Sequence, residues 1–81
     1  MGHTIFGHEL IGRDVVDQDG GIIGNLSDIV IELNTGKTTS LIVKLSTDLD
    51  PSRLPWEYIN GTVKIPVQEV SRVSSSIHLV L

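Results

Sequence analysis

The residues most suggestive of chemistry lie between Asp17 and Asp28, in "DQDGGIIGNLSD". Aspartates stand at its first, third and last positions and asparagine at its ninth, close to the outline of a calcium-binding loop. A loop of the EF-hand kind also needs an oxygen donor at position five, glycine at six and a long bidentate carboxylate at twelve. Here position five is Gly21, position six is Ile22 and position twelve is the shorter Asp28. The flanking "VV" and "IVI" suit strands, whereas the motif sits between helices. The stretch therefore reads as a turn, with Asp19–Gly20–Gly21 reversing the chain and no metal expected. Gly24 falls inside a strand pattern, where glycine marks a bulge or a close backbone approach.

Other chemistries fare no better. His3, His8 and His78 are the only histidines, and they lack the fixed spacing of a zinc site. The chain has no cysteine, which excludes disulfides and thiolate ligands. Serines cluster in "SRVSSSIH", but nothing in the sequence sets one on a strained turn beside a base and an orienting acid. Asp48 and Asp50 lie in a loop-like stretch and read as turn caps. No glycine-rich phosphate loop is present. These criteria predict no catalytic residues, no cofactor and no enzyme. A net charge of −4 argues against broad binding to phosphate backbones.

One group of residues fits recognition instead. Arg53, Leu54, Trp56 and Tyr58 fall together, and Trp, Tyr and Arg carry much of the binding energy at interfaces. Trp56 and Tyr58 are two apart, which predicts one face of a strand. Two readings stay open: the rings close one end of the core, or they form a contact surface. A tight dimer would satisfy both.

The elements that must position these residues follow from a period near two. Ile29, Ile31 and Leu33 alternate with Asp28, Val30 and Glu32, and Leu41, Val43 and Leu45 alternate with Ser40, Ile42 and Lys44. "NTGK", Asn34 to Lys37, predicts the hairpin turn between them, and Asn60–Gly61 predicts another. Val67 to Val73 reads as one helical turn or extended chain after Pro66, and Ile77 to Leu81 as a last strand. The last strand is apolar and ends the chain, so pairing with a second copy is an expectation there. The sum is about five or six short strands without a convincing helix. A small all-β barrel removes most of their edges.

At 81 residues the chain is one domain, with a thin stability margin that a partner subunit would improve. Residues 1–9 are set apart as an N-terminal segment, whose opening "MGH" is compatible with a cloning remnant, and 10–81 as the barrel. No apolar run is long enough to span a membrane, and no secretion signal is visible, so the expectation is a cytoplasmic protein.

The order of motifs resembles the PRC-barrel family. The residues are Gly12, Val15–Val16, Asp19–Gly20, Ile23–Gly24, Asp28, Thr35–Gly36 and Leu41–Val43, followed by "VKIPVQEVSRV" from Val63 to Val73. The likeness covers residues 10–81 and says little about "STDLDPSRLPWEYING". It implies a partly open antiparallel β-barrel of about six strands. In it Gly12, Asp19, Gly20, Gly24, Asp28 and Gly36 act as structural turn and strand residues. It also implies a non-catalytic module that binds macromolecules, as in the photosynthetic reaction-centre H subunit and the ribosome maturation factor RimM. Short stand-alone archaeal members are similar to cell-division adaptors. The expectation is a protein-binding adaptor, working as a homodimer. The alternative is an accessory factor in ribosome maturation or RNA processing.

Overall fold

A computed structural model describes residues 10–80. The expectations for residues 1–9, including His3 and His8, lie outside the described residues. The described chain forms seven strands: β1 (Asp14–Val16), β2 (Ile22–Ile31), β3 (Thr38–Leu45), β4 (Tyr58–Ile59), β5 (Thr62–Pro66), β6 (Val70–Val73) and β7 (Ile77–Leu79). Short 3-10 turns at Pro51–Arg53 and Val67–Glu69 interrupt them. The strands make one sheet in the order β4-β5-β3-β2-β1-β7-β6. Every pairing is antiparallel except that of β1 with β7. The all-β expectation holds, with one strand more than about six because β4 is a two-residue piece.

The core is aliphatic. Val15, Leu26, Val43, Val63, Ile65 and Ile77 are almost fully buried, and β-branched residues suit such pleated, half-buried strands. In β3 the expected alternation appears as buried Leu41, Val43 and Leu45. Residues near both ends of the strand order, Val70 of β6 and Trp56 ahead of β4, pack on this same core. The sheet therefore wraps around one interior while its end strands stay unpaired with one another, a partly open barrel.

The turns follow their residues. Asn60 and Gly61 both take positive φ, 51° and 83°, as the two-residue loop of a type I′ hairpin requires. Asp17 organises the preceding loop. Its Oδ1 accepts the backbone N–H groups of Asp19 at 2.9 Å and Gly21 at 2.8 Å, while Gly20 turns at φ 87°. One carboxylate oxygen of the suspected calcium loop is thus committed to backbone hydrogen bonding. The β2–β3 hairpin is wider than "NTGK" suggests. Strand β2 ends at Ile31, Glu32 N–H donates to the Lys37 carbonyl, and Gly36 N–H donates to the Glu32 carbonyl.

The last strand departs from expectation. β7 lies between β1 and β6, so both of its sides are already paired. It offers no free edge to a second copy. Among the described residues, the unpaired edge at this end of the sheet belongs to β6.

Candidate functional site

The segment leading into β4 is built by a local cap. Asp50 ends the loop in extended backbone, and its Oδ1 accepts from Ser52 N at 3.0 Å and from Ser52 Oγ at 2.8 Å. Pro51 takes the first position of the 3-10 turn, where its missing N–H costs nothing. The Ser52 hydroxyl, then the Ser52 backbone N–H, hold the Asp50 carboxyl below its ordinary range, with a smaller contribution from Arg53.

Arg53 closes that turn with its side chain exposed. Leu54 and Trp56 are half-buried and pack on the core. Tyr58 and Ile59 form β4 at the edge of the sheet, 47% and 53% exposed. They pair with Val63 and Thr62 of β5, and Thr62 Oγ1 donates to the Ile59 carbonyl at 2.8 Å. Trp56 and Tyr58 do not share one face of a strand as their spacing suggests. The strand begins at Tyr58, Trp56 lies in the bend before it, and one ring packs inward while the other faces water. The four residues nominated from sequence thus divide into a support, Leu54 and Trp56, and an exposed pair, Arg53 and Tyr58. Ile59 joins the exposed side; its signal was its place directly before the Asn–Gly turn, on a two-residue strand.

A second feature escaped the sequence. An apolar groove of about 570 Å³ lies between the β2–β3 hairpin and β6. Ile29 and Ile31 line it from β2, Val70 and Val73 from β6, and Leu41 and Ile77 from deeper in the core. It arises where strands distant in the sheet order approach one another, which no local pattern encodes.

The remaining polar groups serve the fold. Arg13 donates to the Ser74 carbonyl and ties the start of β1 to the β6–β7 turn. Asn25 Nδ2 donates to Asp14 Oδ1 at 2.8 Å across the β1–β2 pair. Ser74 Oγ lies 3.3 Å from His78 Nε2, and its hydroxyl is also 3.4 Å from the Ser76 carbonyl. Among the described residues no carboxylate hydrogen-bonds this imidazole, so the orienting acid of a nucleophilic triad is not assembled there. Among the same residues no group of three or more His, Cys, Asp or Glu side chains is set to hold a metal.

The six family-motif positions take backbone roles. Gly12 (φ 90°), Gly20 and Gly36 (φ 73°) adopt the left-handed conformation, and Asp19 sits in the Asp17 loop. Asp28 lies at a register shift of β2 and accepts from Ile29 N at 2.8 Å. At Gly24 the backbone of β3 lies where a Cβ would stand, against the Lys44 carbonyl. No helix among the described residues is long and apolar enough to cross a membrane.

Comparison with curated proteins gives no match. The sequence profile of the PRC-barrel domain matches residues 2–79. With nearly the whole length matched and the strands wrapped around one core, the chain belongs to the PRC-barrel family.

Proposed function

We propose that this protein is a non-catalytic adaptor that binds a protein partner through the surface of Arg53, Tyr58 and Ile59, with Leu54 and Trp56 supporting it from the core. The observation that carries this reading is β4 itself, an edge strand whose two side chains are both large and about half exposed. Tyrosine and isoleucine beside an exposed arginine supply apolar area, a hydroxyl and a charge at one place. The short strand also leaves main-chain groups at the sheet edge for pairing with an extended segment. The family supports an interaction module rather than an enzyme. The partner belongs to a cell-division assembly of the kind that short archaeal relatives serve, and the module works in the cytoplasm as a homodimer, since a core this small gains from a second subunit.

Affinity capture from a native-type lysate tests the reading, with bound protein and RNA identified together. The expected result is a division protein that is retained by the parent chain and lost with Tyr58→Ala, while the circular dichroism of the variant stays that of the parent. Ribosomal protein or ribosomal RNA in its place would transfer the assignment to ribosome maturation. The net charge of −4 weighs against that outcome.

A further inference from the structure

Arg13, Arg72, Ser74 and His78 gather at the β6–β7 turn, on a face that shares no residue with the Arg53–Ile59 surface. The register accounts for this. Ile77 and Leu79 are buried, so His78 between them points to the outer face of β7. Arg72 of β6 pairs with His78, and directly opposed residues project to one face. The turn brings Ser74 back over the imidazole, with its Oγ 3.3 Å from His78 Nε2. Arg13 arrives from the start of β1 and donates to the Ser74 carbonyl through one nitrogen of a guanidinium that has five N–H donors.

The surrounding charges leave this group cationic. The chain holds ten acidic against six basic residues, yet two of its three arginines stand here. Asp14 follows Arg13, but its Oδ1 accepts Asn25 Nδ2 at 2.8 Å, on the β2 side of β1 and away from β7. Asp17 Oδ1 accepts the N–H groups of Asp19 and Gly21. Glu69 precedes β6, at the end of that strand away from the turn. Arg72 and Ser74 are exposed.

We propose that Arg72, Ser74 and His78 bind a phosphate monoester group. A guanidinium presents a planar fork that matches phosphate oxygens, and the Ser74 hydroxyl and His78 Nε2–H add donors from other sides. Three side chains converging on one point suit the three terminal oxygens of a monoester better than the two of a carboxylate. A nucleic acid fits less well, because its binding needs cations spread along a backbone and the net charge of −4 opposes it. The recognised chemistry is the phosphoryl group, carried by free phosphate or by a phosphoserine.

The test uses the full chain labelled with nitrogen-15, in a buffer without phosphate and at ionic strength held constant with sodium chloride. Sodium phosphate and O-phosphoserine are titrated separately, with sodium acetate as the carboxylate control and a short single-stranded RNA as a fourth arm. The expected result is saturable shifts of the Arg72, Ser74 and His78 amides with either phosphate probe, larger than those with acetate. In Arg72→Gln, with the amide dispersion of the parent, half-saturation moves up about tenfold, as loss of one charge-assisted contact requires. Tighter binding of O-phosphoserine assigns the group to a phosphorylated protein, tighter binding of phosphate to the free anion, and either supports the site. Shifts that do not saturate, that acetate reproduces, or that keep their midpoint in Arg72→Gln overturn the proposal. So does RNA that binds these residues more tightly than both phosphate probes.

Discussion

Gly24 pairs with Val15 on one side and Leu45 on the other, so it sits inside the sheet with backbone on both flanks. A Cβ at this position would press on the Lys44 carbonyl, with the carbonyl carbon 2.9 Å away and Leu45 Cα at 3.1 Å. Those are main-chain atoms of a paired strand and cannot swing aside. Gly24→Ala is expected to destabilise the fold by about 3 kcal/mol, the upper part of the overpacking range, as a lowered midpoint in urea at unchanged slope. Asp50 offers a gentler test. Its carboxyl is held low first by the Ser52 hydroxyl and then by the Ser52 N–H. A depressed folded pKa contributes stability that is present above the unfolded value and is lost as pH falls through the folded one. Ser52→Ala should therefore raise the Asp50 titration midpoint toward the ordinary carboxylate range, followed through its side-chain carboxyl carbon resonance. An unchanged midpoint would mean that the cap does not persist in solution.

The elements differ in how openly the sequence declares them. Turns were legible because their chemistry is local: Asn60–Gly61 predicts a two-residue hairpin loop, and both residues take the positive φ that such a loop needs. Gly61→Ala places a Cβ in that left-handed conformation and should cost roughly 1–2 kcal/mol in the same urea titration. The alternation in β3 was equally legible, since Leu41, Val43 and Leu45 all reach the core. Strand β2 was less so. Register shifts between Leu26 and Asp28 and between Val30 and Ile31 break the simple period. Ile29 packs on the core, Ile31 is 52% exposed at the groove, and Leu33, past the strand end, is 93% exposed. A bulge changes which face a residue meets, and its position depends on the partner strand rather than on local pattern. Pairing likewise depends on partner strands, so the place of β7 between β1 and β6 could not be read from a run of apolar residues at the chain end. The recognition residues were found by type, but their division into half-buried Trp56 and exposed Tyr58 depends on where β4 begins.

At the level of the whole molecule, one sheet wraps an aliphatic core and leaves two unlike ends. At one end β4 presents Tyr58 and Ile59 to water; near the other, β6 borders an apolar groove. Small domains of this kind keep little stability in reserve, so apolar surface left at an edge is informative when it gathers in one place. The adaptor reading uses the β4 end. The most direct measurement of the central claim is amide hydrogen exchange of the full chain, alone and with its captured protein partner. The account predicts slowed exchange on binding over Arg53–Ile59 and the pairing residues Thr62 and Val63, with the β6 edge unchanged. Protection confined to β6 and the β2–β3 hairpin, with β4 exchanging as in the free chain, would contradict it.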